Sequence, residues 1–265
     1  MNGEMTLRDW LEAEPFTLVM SSGFFSFFSH CGVLAALADE SLVPEAVSGS
    51  SAGALTAGLW AAGLEPTEIR ELYVSLRKED FWDPAPGPGL LRGRRFRTLI
   101  RRASPVQRLE HCRRPLTVSV FDLLRMRTRV LSSGDLARAL YASCAVPLMF
   151  HPLWHQGGWL IDGGLGDRPG LSGVPAGRRV FYHHIMYQST WRRRDSADLG
   201  LPDRPNLAAL TIPALPRPRP DALHVGPSAW AAARTATLRA LDRPVRPRGD
   251  AHGPGPKEEV VYGTS

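Results

Sequence analysis

The element order read from residues 16–62 predicts an α/β fold, a single three-layer domain with a mainly parallel central sheet flanked by helices. Three observations carry that expectation. Apolar runs of strand length alternate with stretches of helical periodicity, giving strand, loop, helix, strand, turn and helix before residue 63. Gly49-Ser50-Ser51-Ala52-Gly53 reads G-x-S-x-G, with an apolar segment (Val43, Ala46, Val47) before it and helix formers (Ala54, Leu55, Ala57, Leu59) after it. That is the strand, sharp turn and helix setting of a nucleophile elbow. The chain is 265 residues long and 43% hydrophobic, enough for one sizeable core.

Residues 1–15 form an N-terminal segment in which 5–13 have the pattern of a short helix. Phe16 to Met20 reads as a first core strand that stops at Ser21-Ser22-Gly23. A Phe-rich loop, Phe24-Phe25-Ser26-Phe27-Phe28, leads to a helix over 29–40, with Val33, Leu34 and Leu37 at helical spacing and Ser29 as N-cap. After the elbow helix, Pro66 to Leu76 places Ile69, Leu72, Tyr73 and Leu76 on one helical face. The Pro- and Gly-rich stretch 83–93 reads as irregular. It leads into Leu91 to Arg102, a basic amphipathic helix in which Arg92, Arg94, Arg95, Arg97, Arg101 and Arg102 surround Phe96, Leu99 and Ile100. Strands are expected over 115–122 and 127–132, then a helix over 134–143 capped by Ser133. Leu153 to Ile161 reads as a strand or hairpin around Gly157-Gly158 that ends on Asp162-Gly163-Gly164, and further strands are expected over 179–186 and 207–213. A helix over 228–241 closes the main domain, 16–241, and the proline- and charge-rich tail 242–265 is expected to be disordered.

The net charge of +6 is almost wholly arginine, since Lys78 and Lys257 are the only lysines among 32 basic residues. Guanidinium pairs with phosphate oxygens in a fork, so an anionic membrane surface is the partner this charge suits, with a general compositional bias toward arginine as the competing explanation. The arginines are not interleaved with aromatic residues in a nucleic-acid module, and no nucleic-acid partner is expected. Cys31, Cys112 and Cys144 lack C-x-x-C spacing, so neither a disulfide framework nor a metal site is expected, and a reducing compartment fits. The acidic start (Glu4, Asp9, Glu12, Glu14) lacks a signal-peptide pattern, and the longest apolar stretch, 16–37, is broken by Ser21, Ser22, Ser26, Ser29 and His30. A cytoplasmic protein with peripheral membrane contact is the expectation. Oligomeric state is not readable.

Ser51 is the candidate nucleophile, because an elbow serine projects its Oγ over the positive end of the following helix, where a developing anion is favoured. The plainer alternative is a tight Gly/Ser turn. The candidate bases that follow are Asp162, His151, His155, His183, His184 and His224. Asp162 stands out: it follows the strand-like Trp159-Leu160-Ile161 and precedes two residues without bulk, Gly163 and Gly164, although Asp-Gly is also a common turn. With these motifs the chain resembles the patatin-like phospholipases, in which a G-x-S-x-G serine pairs with the aspartate of a D-G-G or D-G-A triplet. Three pieces match: Leu18 to Leu37, Val47 to Gly63, and Ala142 to Gly164 with its run Ala142-Ser143-Cys144-Ala145-Val146-Pro147, and the resemblance is best over 16–190. It implies a lipid acyl hydrolase without cofactor or metal, in which Asp162 takes the proton of Ser51 and an acyl-enzyme is hydrolysed.

The resemblance also implies an oxyanion loop after the first strand. The family's G-G-G-x-[RK]-G stands here as Ser22-Gly23-Phe24-Phe25-Ser26-Phe27, with only Gly23 retained, so the amides of Gly23, Phe24 and Ala52 are the candidate donors. Phenylalanine disfavours φ > 0, and a path different from the glycine-rich one is expected. Phe24, Phe25, Phe27 and Phe28 are candidates to line an acyl-chain channel, against the commoner fate of core burial. Two readings stand beside the dyad. One is an ordinary α/β-hydrolase using Ser51, Asp162 and His183 or His184; the other is a catalytically weak or silent relative that binds lipid or a partner.

Overall fold

The computed structural model describes residues 5–186, 200–247 and 260–263. Thr6 caps α1 (Leu7–Ala13), its hydroxyl accepting from the Asp9 amide while the Asp9 carboxylate accepts from the Thr6 amide. β1 (Thr17–Met20) is buried along its length and runs through a turn into α2 (Phe27–Asp39). α2 thus starts before the expected Ser29: Ser26 is its N-cap, and Phe27 and Phe28 fill its first turn. β2 (Ala46–Ser50), α3 (Ala52–Ala62) and α4 (Pro66–Ser75) follow; α3 stops at Gly63 in the left-handed conformation and α4 begins on its proline.

β3 (Gly89–Leu91) corrects the expectation of an irregular stretch over 83–93. α5 (Arg94–Ala103) begins where the Asp83 carboxylate accepts the amides of Gly93, Arg94 and Arg95 at 2.9, 2.7 and 3.2 Å. β4 (Leu116–Asp122) and β5 (Arg127–Leu131) form a hairpin, and α6 (Leu136–Ser143) is capped by Asp135, whose side chain accepts from the Arg138 amide, rather than by Ser133. β6 (Leu148–Phe150) pairs in parallel with β3, a partner 59 residues earlier in the Gly89–Leu148 register that no local pattern announces. β7 (Leu153–His155) and β8 (Gly158–Asp162) are the expected hairpin, followed by β9 (Val180–His184), β10 (Leu207–Thr211) and α7 (Gly226–Leu241). Within the tail expected to lack structure, β11 (Arg246–Pro247) and β12 (Val260–Gly263) join the sheet; 248–259 and 264–265 lie outside the described residues.

The main sheet has the order β11-β12-β10-β9-β1-β2-β4-β8-β7, with β5 also on β4. Its centre, β10-β9-β1-β2-β4, is parallel, and antiparallel pairs flank it. Side chains alternate across a strand. Leu18 and Met20 therefore join a large core built with α2, α3, α6 and α7, whereas Val19, Val180, Tyr182, Leu207 and Ala209 form a smaller cluster on the other face with Val174. The chain is a mixed α/β fold whose central sheet carries its helices. The register pairs Ser50 of β2 with Ser119 of β4, so Ser51 stands at the carboxyl end of the parallel strands, where sites of open α/β sheets lie.

Asp83 supplies an anion to the start of α5 and satisfies three backbone donors there. Asp83→Ala is expected to cost about 1–2 kcal/mol, read as a lowered urea midpoint with unchanged slope. An unchanged midpoint would mean that water caps α5 equally well.

Candidate active site

Ser51 is the single residue between β2 and α3, with φ 53° and ψ −121°, a conformation that L-residues rarely adopt. Two glycines make that turn sterically feasible. A Cβ at Gly49 would lie 2.6 Å from the Ala54 amide nitrogen, and one at Gly53 would collide with the Met20 carbonyl of β1. The turn aims the Ser51 side chain at β8, where its Oγ donates to Asp162 Oδ2 at 2.7 Å. Both residues are enclosed, at 7% and 4% exposure. The other carboxylate oxygen, Oδ1, accepts from the Gly164 amide at 2.8 Å. The two glycines after Asp162 are required by close approach: a Cβ at Gly163 would collide with the Ser119 carbonyl, and one at Gly164 with the Ser22 side chain.

The segment after α6 holds both partners. Ser143 Oγ accepts from the Ser51 amide at 2.9 Å and donates to the Ser119 carbonyl at 2.7 Å, while the Ala145 carbonyl accepts from the Asp162 amide at 3.0 Å. Ser143 lies within the run Ala142 to Pro147 and carries no local signature of a role; only the fold shows what it touches. Cys144 lies beside the pair, and burial pushes its thiol well above the ordinary range, with the nearby Asp162 charge adding to the shift. It stays a thiol and does not compete with Ser51 as a nucleophile.

Gly23, Phe24 and Ala52 line the same cavity as Ser51, and among the described residues their amides have no protein acceptor. The loop does take its own path. Its left-handed residue is Phe25, with φ 57°, rather than a glycine. The Phe25 ring is held by Phe24, Phe27 and Phe81 at centroid distances of 4.9, 5.4 and 6.2 Å. From Ser51 a cavity with about 1020 Å³ of empty space, open mouth included, runs between α4, α5 and the β3-β6 flap. Its walls are apolar: Phe24, Phe25 and Phe27 line it, as do Phe96, Leu99 and Ile100 of α5. Phe28 does not; it is buried against Tyr73 and Gly226 in the core.

A family model of patatin-like phospholipases matches residues 18–173, more than half of the chain and inclusive of the elbow, Ser143 and the D-G-G triplet. The chain belongs to the patatin-like phospholipase family. Lysophospholipase NTE1 of Yarrowia lipolytica is 27% identical over 173 residues, 63% of this chain and 12% of that protein. An uncharacterized NTE family protein of Mycobacterium bovis is 30% identical over 154 residues, 57% of this chain and 42% of that one. The chain therefore matches less than half the length of these curated relatives. VipD from Legionella pneumophila shares the fold, with a TM-score of 0.51 at 15% identity over 86% of this chain and 67% of that one. Patatin-like membership makes this a phospholipase-type fold with lipid hydrolysis as its family chemistry. Among the described residues no helix is long and apolar enough to cross a membrane, and no group of three His, Cys, Asp or Glu side chains could hold a metal ion.

His183 and His184, the histidines of the triad reading, are engaged elsewhere. The Ser21 carbonyl can only accept, so His30 carries its proton on Nε2 at 2.9 Å, and its Nδ1 accepts from His183 Nδ1 at 2.9 Å. His183 Nε2 is then a lone pair with no partner among the described residues, and His184 Nδ1 meets Tyr182 Oη at 3.0 Å. Burial holds both rings of the pair neutral, lowering His30 to about 3 and His183 well below its ordinary value.

That pair links stability to pH. An unfolded histidine takes up its proton below about 6.5, whereas the folded pair resists protonation, so the stabilisation is complete above that value and is lost as pH falls from about 6.5 toward 3. The thermal midpoint of the wild type is expected to decline across this window, and a His30→Gln/His183→Gln variant to decline less steeply. Circular-dichroism melts in a pH series measure this; equal slopes would exclude the pair as the source.

Proposed function

We propose that this chain is a lipid acyl hydrolase in which Ser51 and Asp162 form the catalytic dyad. The observation that carries the reading is the 2.7 Å hydrogen bond from Ser51 Oγ to Asp162 Oδ2 at the inner end of an apolar cavity. Asp162 accepts the Ser51 proton as Oγ attacks the ester carbonyl carbon, and the carbonyl electron pair moves onto oxygen. The amides of Gly23, Phe24 and Ala52 are the donors proposed for that oxyanion, one such donor being worth about 3 kcal/mol. Collapse of the tetrahedral intermediate breaks the ester C–O bond, and the leaving oxygen takes the proton from Asp162. Water, deprotonated by Asp162, then attacks the acyl-enzyme and releases the fatty acid and Ser51.

The substrate class is an acyl lipid, phospholipid first, whose chain the cavity accommodates. α5 supports contact with an anionic membrane surface: Phe96, Leu99 and Ile100 face the cavity, while Arg94, Arg95, Arg101 and Arg102 are exposed. Three free cysteines support a reducing, cytoplasmic setting. The ordinary triad is less well supported, because Ser51 Oγ donates to Asp162 and His183 is committed to His30. One observation favours a catalytically silent lipid binder: the oxyanion loop carries its left-handed backbone at Phe25.

Acyl release from a panel of phospholipid, acylglycerol and short-chain esters tests the reading. Ser51→Ala and Asp162→Asn are each expected to lower release by about a thousandfold or more, with folding intact. Labelling of the wild type but not Ser51→Ala by a fluorophosphonate probe is the second expected result. Absent labelling of the wild type would support the silent binder, and loss on replacing His183 and His184 with Asp162→Asn active would support the triad.

Ser143→Ala leaves the Ser51 amide and the Ser119 carbonyl without their partner, a cost of about 1–3 kcal/mol for buried groups. A slower labelling rate at Ser51 is expected beside a lowered thermal midpoint. Full-speed labelling would show that the elbow holds its shape without Ser143.

A further inference from the structure

Large apolar side chains stand exposed around the mouth of the cavity. Phe24 and Leu90 both line the cavity and are about half exposed, and Leu148, paired with Gly89 next to Leu90, is 67% exposed. These residues come from separate chain segments, the loop after β1 and strands β3 and β6, so their convergence is a property of the fold. Leu148 is also held in the left-handed region, with φ 66°, where glycine would be the least strained residue. A strained backbone that presents leucine to water costs free energy on both counts. Arg92 and Arg94 are exposed beside Leu90 and Leu91, and although the Arg94 amide is held by Asp83, neither guanidinium is in an ion pair among the described residues.

We propose that this rim is a membrane-docking surface: Phe24, Leu90 and Leu148 insert into the interfacial region of an anionic bilayer while Arg92 and Arg94 engage lipid phosphates. Charge complementarity selects this occupant over a second copy of the chain, because two such rims would bring like-charged arginines together. The seat puts the cavity mouth against the lipid, so an acyl chain passes from bilayer to channel without exposure to water. This inference deepens the proposed function and rests on it for the use of the channel, but docking itself is measurable without turnover.

The test uses the full chain in the Ser51→Ala background with vesicles of equal parts phosphatidylglycerol and phosphatidylcholine, read by co-sedimentation. Leu148→Gly removes the side chain and relieves the left-handed strain, so its thermal midpoint is expected to hold or rise while vesicle affinity falls about tenfold. Arg92→Gln/Arg94→Gln is expected to weaken binding and flatten its salt dependence. Val43→Glu is the control: Val43 is half exposed but precedes β2, at the opposite end of the sheet, and binding is expected to match the parent. In the Ser51-containing protein, Leu148→Gly should hydrolyse a water-soluble short-chain ester at the wild-type rate. Absence of vesicle binding by the parent, parent-like binding by Leu148→Gly, equal binding to vesicles of phosphatidylcholine alone, or a dimer that Leu148→Gly dissociates would each overturn the proposal. Vesicle binding without acyl release by the Ser51-containing protein would instead remove the proposed hydrolase and leave the docking surface standing.

Discussion

The close approach of α3 to the carboxyl ends of β1 and β2 is the constraint on which the rest of the site depends. It leaves room for one residue between strand and helix, and that residue must be left-handed. Gly49 and Gly53 permit the approach because each lacks the one atom that would collide with the neighbouring backbone. Ser51 bears the strain, of order 1–3 kcal/mol for such a conformation. The surrounding packing offsets it, since the Ser51 amide is bonded to Ser143 and its carbonyl accepts the Leu55 amide that opens the helix. A serine held this way presents its Oγ to Asp162 of β8.

Ser119 connects that elbow to the second half of the chain. Its carbonyl accepts from Ser143 Oγ, its hydroxyl donates to Asp167 Oδ2 at 2.6 Å, and the chain at Gly163 passes directly over it. Asp167 in turn accepts the amides of Gly170, Leu171 and Ser172, so the loop after the D-G-G triplet is wound around one buried carboxylate. β4 thereby gauges the distance between Ser51 and Asp162: the elbow is fixed to it by Ser143, and the aspartate by β8 pairing and Gly163. Such preorganisation is what a hydroxyl-to-carboxylate pair requires, because small displacements would lengthen a bond of 2.7 Å beyond use.

Features that depend on neighbouring residues were legible in the sequence. The elbow, the hairpin around Gly157-Gly158 and the alternation in 116–120 all follow from local sterics and periodicity, and the structure has them in place. Features set by distant contacts were not. β3 is three residues of a proline-rich stretch and exists because β6 lies beside it, and β12 pairs with β10 although its local composition resembles a tail. Helix caps differ from the local expectation where two candidates compete: Asp135 caps α6 in place of Ser133, and Ser26 precedes Ser29 because Phe27 and Phe28 enter the first turn of α2 to pack on Tyr73. At the site, Ser51 and Asp162 were readable from glycines that mark close approach, whereas Ser143 and the His30–His183 pair carry no local signature. Only the strand order brings them together.

Strain separates the two sides of the cavity mouth. At Phe25 the left-handed backbone costs about 1–2 kcal/mol, and three ring contacts, each worth about 0.5–1.5 kcal/mol, are on hand to offset it. Phe25 is therefore explained by the protein alone. Leu148 has the same backbone cost and, at 67% exposure, little packing to set against it. Glycine there would remove the strain and the exposed hydrocarbon together, so the folded monomer in water supplies no reason for leucine. Burial of that side chain in an apolar medium supplies one: about 1.5–3 kcal/mol for a leucine fully removed from water, enough to cover the backbone strain. Met126 in the β4–β5 turn has the same combination of positive φ and high exposure, and it is the position of Leu148 beside Leu90 at the cavity mouth that makes its imbalance an argument for a docking surface.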